Sequence, residues 1–235
     1  MKLNGAVIPD EIVRRVVERR GTEHCFAELD PRRTALVVID LQHAFMTDGV
    51  GHAVCPAARD IVPAVNRLAA AVRRSRGGVF WVQMTHDERC LEEWSTAFAI
   101  NTPEAGRRRI EALSEGGQGH QLWPGLEVRP EDEIVKKYRY SGFLPGTSDL
   151  ADQLRARGFD TVLITGTVTN VCCESSARDA NMLNFRTIMV SDGNAAMSEA
   201  EHNASLSAFY ATFGDVMDTD MLVAALDRAN AAKAA

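Results

Sequence analysis

The sequence predicts one α/β domain in which helices cover both faces of a mainly parallel, six-stranded, doubly wound sheet, giving three layers. Apolar, β-branched segments alternate along the chain with segments whose apolar residues recur at helical spacing. The apolar segments are continuous, which is typical of parallel strands that are buried on both faces. Alternating strands and helices indicate repeated crossovers within a single sheet, and 235 residues suit one such domain.

The strands and helices can be placed in order. Six segments have the composition of strands: Thr34–Asp40, Val79–Thr85, Glu133–Lys137, Thr161–Gly166, Thr187–Asp192 and the weaker Asp215–Asp218. Helical spacing predicts six helices: Asp60–Arg76, Glu104–Glu115, Ser148–Arg157, Cys172–Asn184, Ser198–Phe213 and Met221–Ala232. Ser198 and Glu201 form a capping box at the start of one of them, which satisfies two backbone N–H groups.

Two regions fall outside this alternation. Residues 1–30 are predicted to be an N-terminal helical extension that precedes a single domain spanning 31–235. Packing at the sheet edge and a role as a lid or subunit contact are both open for this extension. Residues 86–132 are long for a crossover and contain one clear helix, and loops of this length are often functional lids.

Composition and charge exclude several classes of protein. The chain has 26 Lys and Arg against 32 Asp and Glu, a net charge of −6, which argues against binding to nucleic acid or a membrane. No apolar run approaches the roughly 20 residues that span a bilayer, and the N-terminus lacks the apolar centre of a signal peptide. The five cysteines fit no paired framework, so we expect a reducing, cytoplasmic location. We also expect a homo-oligomer, either a dimer or a tetramer.

An acid, an amine and a thiol lie at or just after the carboxyl ends of predicted strands, which is where doubly wound sheets bind ligands. Asp40 ends the first strand, Lys137 ends the third, and Cys172 begins the helix after the fourth. Taken alone, each has an ordinary explanation, as a helix cap, a surface charge or a packed thiol. Together they suit nucleophilic catalysis, because a helix N-terminus and an ammonium lower a thiol pKa and a carboxylate can accept its proton.

Three motifs occur in order at these strand ends: ALVVIDLQHAF, VKKYRYSGFLPGTSDL and ITGTVTNVCCESSARDANMLNF, the last followed by VSDGNAA. With them, residues 34–217 resemble the isochorismatase-like cysteine hydrolases, which have a Rossmann-like fold. The resemblance implies that Asp40 is the acid and base, Lys137 its cationic partner and Cys172 the nucleophile. It implies that Cys173 is a packing residue.

The same resemblance implies how the reaction is supported. It places a cis peptide bond between Thr167 and Val168, and an oxyanion hole made by the backbone N–H groups of Val168 and Cys172. Family members that cleave a vinyl ether lack the cysteine, so Cys172 favours cleavage of a C–N bond through a thioester. The segments KYRYSGF and GTVTNVCCES look most like those of ureidoacrylate and N-carbamoylsarcosine amidohydrolases. The implied substrate is a small carbamoyl or ureido acid, or an amide, that releases ammonia.

Such a substrate carries a carboxylate, so a basic residue is expected near it, and Arg139 and Arg89 are the candidates. Residues 107–109, three arginines in a predicted helix, are expected to form a solvated face. Five side chains are predicted to contact the substrate: Tyr140, Phe143, His86, Gln42 and Arg139.

Neither a metal nor another cofactor is expected. Nicotinamidases resemble this chain but add an Asp-x-His pair with further histidines, whereas here only His86 follows the second strand and His120 is remote in sequence. A nicotinamidase-like or other primary amidase, and an inactive binding scaffold of the same fold, are the alternatives. A dinucleotide-binding oxidoreductase would need G-x-G-x-x-G after the first strand, and a thiol redox protein usually has C-x-x-C spacing.

Overall fold

The computed structural model describes residues 1–234, so Ala235, the last residue of the predicted domain, lies outside the described residues. The strands are β1 (Lys2–Leu3), β2 (Ala6–Val7), β3 (Thr34–Ile39), β4 (Gly78–Met84), β5 (Glu133–Lys137), β6 (Thr161–Thr167), β7 (Arg186–Ala195) and β8 (Asp215–Met217). The helices are α1 (Asp10–Arg20), α2 (His43–Met46), α3 (Val62–Arg74), α4 (Cys90–Glu93), α5 (Ser95–Ala99), α6 (Pro103–Leu113), α7 (Leu150–Ala156), α8 (Glu174–Met182), α9 (Glu199–Thr212) and α10 (Thr219–Ala234).

The main sheet confirms the predicted fold class. Strands β3 to β8 are all parallel and lie in the order β5-β4-β3-β6-β7-β8. Helices α3 and α10 pack together on the sheet, while α8 and α9 pack together against β6, β7 and β8. The strand order reverses between β3 and β6, and the carboxyl ends of the strands beside such a reversal form a crevice.

The centre of the sheet positions the start of that crevice. All six residues of β3 are buried, as expected for a strand covered on both faces. Ile39 lies in register with Gly166 on β6. Gly166 has a φ of +126°, and a Cβ atom there would lie 2.0 Å from the carbonyl oxygen of Ile39. Only glycine therefore lets the end of β6 approach the end of β3 so closely.

The N-terminal extension packs along the edge of the sheet. It contains an unpredicted hairpin, β1 and β2, in addition to the expected helix α1. His24 Nδ1 lies 2.9 Å from Asp215 Oδ1 on the edge strand β8. The Tyr210 hydroxyl on α9 donates to the Glu23 carbonyl at 2.7 Å. These contacts correspond to the edge-packing alternative, and they cover the exposed side of β8.

The segment between β4 and β5 holds three helices, where one was predicted. Helix α6 was expected, and it is capped at its N-terminus by Thr102, whose hydroxyl accepts from the Ala105 N–H at 3.2 Å. Helices α4 and α5 have four and five residues, too few for helical spacing to be recognised in the sequence. Among the described helices, none has both the length and the apolar character needed to span a membrane.

Candidate active site

Asp40 and Lys137 form a buried ion pair at the carboxyl ends of β3 and β5. Lys137 Nζ lies 2.9 Å from Asp40 Oδ2, and neither side chain is exposed to solvent. Asp40 has a φ of +55°, a left-handed conformation that Asp tolerates better than most residues. Its other oxygen, Oδ1, accepts from the Met84 N–H at 3.1 Å. Lys137 Nζ also donates to the Arg139 carbonyl at 3.1 Å, so both charges have additional backbone partners.

Cys172 reaches the same place from β6. The peptide bond between Thr167 and Val168 is cis, and a wide helical turn of the π type covers Thr169–Cys173 before α8 begins. The π-type turn starts three residues before the predicted helix start at Cys172, and in it the N–H of Glu174 bonds the carbonyl of Thr169 five residues earlier. Cys172 lies within this first turn and is 5% exposed.

Burial and the neighbouring charges shift the pKa values of all three groups. Burial raises the pKa of the Cys172 thiol well above its ordinary value, although the Lys137 ammonium opposes this. Burial raises the pKa of Asp40 as well, against the influence of Lys137. Burial would lower the pKa of Lys137, but Asp40 and Cys172 raise it. The expectation of a lowered thiol pKa was wrong, because enclosure outweighs the ammonium and the helix end. Enclosure therefore favours the neutral thiol of Cys172 over its thiolate.

A cavity of about 230 Å³ opens onto the thiol. Val168, Cys172 and Tyr140, which the sequence analysis singled out, are among the residues that line it, and further lining residues come from distant parts of the chain. Most of its surface is apolar, with Met84 and Phe45 among the contributors. Small cavities with few polar groups are typical of sites for small molecules.

Of the five predicted substrate contacts, only Tyr140 lines this cavity, and Gln42, Phe143, Arg139 and His86 do not. The Gln42 side chain is occupied by the backbone, because its amide donates to the carbonyls of Met84 and His120 and accepts from the Met84 N–H. Phe143 is 1% exposed and packs in the core against Phe185. Arg139 turns outward, where it donates to the Glu93 carbonyl and lies over Trp94. A contact of these three residues with the substrate therefore stays a prediction of the sequence.

Two basic side chains, His86 and Arg109, are placed differently from the expectation. His86 is 1% exposed and packs against Trp94 and Phe98, yet it is not part of the cavity lining. Arg109, assigned above to a solvated face, is 3% exposed and lines the cavity. The sequence does contain a signal of this burial, because Arg109 lies at helical spacing from Gly106 and Leu113 and therefore on the same face of the helix. In the structure all three residues are buried. An arginine in the apolar stripe of a helix is a candidate for a buried role.

A metal site was not expected. Among the described residues, no three His, Cys, Asp or Glu side chains are grouped so that they could hold a metal ion. His120 Nε2 lies 2.8 Å from the Thr85 hydroxyl, and the two ring nitrogens of His86 have no partner.

Comparisons with known proteins cover most of the chain. The family model described as the isochorismatase domain matches residues 34–221. A ureidoacrylate amidohydrolase, RutB, of Methylobacterium radiotolerans is 33% identical over 216 residues, which cover 84% of this chain and 81% of the relative. A solved cysteine hydrolase from Pseudomonas syringae pv. phaseolicola 1448A is 29% identical with a TM-score of 0.76, over 86% of this chain and 95% of the other. An N-carbamoylsarcosine amidase from Thermoplasma acidophilum is 26% identical with a TM-score of 0.63, over 80% and 97%.

Proposed function

The chain belongs to the isochorismatase family and is a hydrolase of non-peptide C–N bonds, and we propose that it removes ammonia from a small ureido acid by cysteine catalysis. The observation that supports this most is the contact of the buried Asp40–Lys137 pair with Cys172, whose side chain lines the cavity. The RutB relatives act on ureidoacrylate, an acid of this class. A domain boundary near residue 30, a cytoplasmic location and a homo-oligomeric state stay predictions of the sequence.

The proposed reaction begins with a neutral thiol. Cys172 Sγ forms a bond to the carbonyl carbon of the terminal carbamoyl group while its proton moves to Asp40. The raised pKa of Asp40 makes it a stronger base than an ordinary carboxylate. The carbonyl oxygen takes up negative charge, and the backbone N–H groups of Val168 and Cys172 stabilise it. Once Asp40 is protonated, the positive charge of Lys137 balances the negative charge that develops on the carbonyl oxygen.

Breakdown of this intermediate returns the proton. The C–N bond breaks, the leaving nitrogen takes the proton from Asp40, and ammonia departs. The carbonyl carbon is then bonded to Cys172 Sγ as a thioester. Water attacks that carbon and gives a proton to Asp40, which passes it back to sulfur as the C–S bond breaks. A ureido substrate is released as a carbamate, which decomposes to carbon dioxide and an amine.

Ammonia release from matched substrates tests the proposal. The protein is incubated with 3-ureidoacrylate, with 3-ureidopropionate and with nicotinamide at equal concentration, and the ammonia and carbon dioxide formed are both measured. We expect one carbon dioxide for each ammonia from the ureido acids, and slower release from nicotinamide. Rapid acid quenching followed by mass spectrometry should find the acyl group on the peptide that contains Cys172.

Two results would contradict different parts of the proposal. If nicotinamide is faster by tenfold or more, equivalent to about 1.4 kcal/mol of transition-state preference, the carbamoyl specificity is wrong. In that case the cysteine mechanism is unaffected. If Cys172→Ala retains the activity of the wild type, the cysteine mechanism itself is wrong.

A further inference from the structure

Arg109 is a buried cation with no anionic partner. It projects from α6 into the cavity wall and is 3% exposed, and its Nε–H group has no hydrogen-bond partner. In the described part of the chain, none of the carboxylates lies within ion-pair distance of it. A buried charge without a counter-charge is unfavourable and is rarely retained unless something binds to it.

Aromatic rings hold the guanidinium in place. Arg109 Cζ lies 4.8 Å from the ring centre of Trp94, 5.1 Å from that of Phe98 and 5.5 Å from that of Tyr140. Cation–π contacts of this kind compensate part of the desolvation of the charge and restrict its motion. They do not satisfy the N–H groups, because a ring face is a poor substitute for an oxygen acceptor. The guanidinium is therefore both positioned and unsatisfied.

Two buried, neutral histidines lie near Arg109, and one of them, His52, lines the cavity with it. Both ring nitrogens of His86 and Nδ1 of His52 have no partner, and His52 lines the cavity. Burial and the charge of Arg109 lower the pKa of His86 to about 3 and that of His52 to about 4, so both rings are neutral at pH 7. Glu201 is the one acidic residue in the described lining, and its carboxylate is exposed and accepts from the Ser198 hydroxyl at 2.8 Å.

We propose that Arg109 binds the carboxylate of the substrate, and that this contact selects ureido acids over uncharged ureas and amides. The proposal rests on the proposed function for the reacting carbamoyl group, and it adds the residue that recognises the other end of the substrate. A guanidinium forms two parallel hydrogen bonds with a carboxylate, which suits a fixed planar group better than a mobile one. A cavity of about 230 Å³ limits the ligand to a small acid.

The test compares an acid with a neutral substrate of the same shape. In 3-methylbutylurea, an isopropyl group replaces the carboxylate of 3-ureidopropionate, so the ratio of the two kcat/KM values measures recognition of the charge. We expect the wild type to prefer the acid by on the order of 10- to 100-fold, the range for a hydrogen bond to a charged group. Arg109→Met keeps much of the aromatic packing and should abolish this preference, mainly through KM for the acid. Arg109→Lys should restore part of it. Arg107→Met, an exposed neighbour on the same helix, should leave the ratio unchanged.

A binding measurement makes the test independent of turnover. Butyrate should slow the alkylation of Cys172 by iodoacetamide, as followed by peptide mass spectrometry, and butyramide should not. The protection by butyrate should be lost in Arg109→Met, and circular dichroism should show that this variant is folded. Equal preference in wild type and Arg109→Met, or equal protection by butyrate in both, would overturn the proposal. If neither urea releases ammonia but the protection depends on Arg109, the proposed reaction is wrong and the anion subsite is correct.

Discussion

The ion pair between Asp40 and Lys137 provides the sharpest test of how the site is built. We consider the variants Asp40→Asn, Lys137→Met and the double variant. Methionine has a similar length to lysine and keeps the apolar part of the side chain, and asparagine keeps the shape of aspartate. Each single variant leaves one charge buried without its partner, whereas the double variant removes both charges. Comparing all four proteins isolates the interaction between the two side chains.

The structure indicates the size of the effect. Neither partner is exposed and the two atoms lie 2.9 Å apart, so each single substitution should lower the free energy of unfolding by about 3–5 kcal/mol. The double variant should lose less than the sum of the two single losses, because it leaves no charge unpaired. We expect a coupling energy of about 3 kcal/mol or more, against the 0–1 kcal/mol of an exposed pair.

The dependence on pH has a definite sign. The pKa of Asp40 is already raised by burial, and loss of Lys137 should raise it further. A carboxyl group with a raised pKa in the folded state contributes stability at low pH, and this contribution is lost as the pH rises through that pKa. The stability difference between wild type and Lys137→Met should therefore be small near pH 4 and should grow towards pH 8.

Urea denaturation followed by tryptophan fluorescence measures these quantities. Lys136→Met is the matched control, because Lys136 is the preceding residue and forms an exposed ion pair with Glu115. That variant should change the free energy of unfolding by less than about 1 kcal/mol. All three variants of the buried pair should also lose activity, by about 10²- to 10⁴-fold for the loss of acid–base catalysis. Additive single losses, within about 0.5 kcal/mol, would refute the reasoning.

Cys172→Ala should abolish ammonia release, whereas Cys173→Ala should keep most of it, since Cys173 is fully buried in the core; loss of activity in the Cys173 variant alone would place the nucleophile one residue later. Acidification should destabilise the protein through His86, whose pKa burial and then Arg109 lower from 6.5 to about 3. The stabilising contribution of the neutral ring is present above pH 6.5 and is lost as the pH falls towards 3. His86→Phe should therefore move the midpoint of acid unfolding, measured by circular dichroism, to lower pH. An unchanged midpoint would contradict this. Dialysis against EDTA should leave ammonia release unchanged, and a loss that zinc, iron or manganese restores would contradict the expectation of a metal-free site.

The sequence alone was enough to predict the parallel sheet and the polar residues at the carboxyl ends of its strands. Continuous apolar runs such as Thr34–Ile39 predict buried parallel strands because the signal is local and strong. Asp40, Lys137 and Cys172 could be singled out because parallel strands bring their carboxyl ends to one edge of the sheet. The strand boundaries differ by a few residues, and the short helices α4 and α5 were missed because four or five residues show no periodicity.

Only the tertiary structure decided the electrostatics of the site and the lining of its cavity. A thiol pKa depends on how completely distant segments exclude water, so the motif around Cys172 could not reveal that burial outweighs the ammonium. Gln42 was assigned to the substrate but its amide is used by backbone groups of remote segments. Arg109 is buried because Trp94, Phe98 and Tyr140 close around it, and these rings come from two separate stretches of chain, one before α6 and one after β5. Residue type and spacing are properties of the sequence, whereas burial is a property of the packed fold.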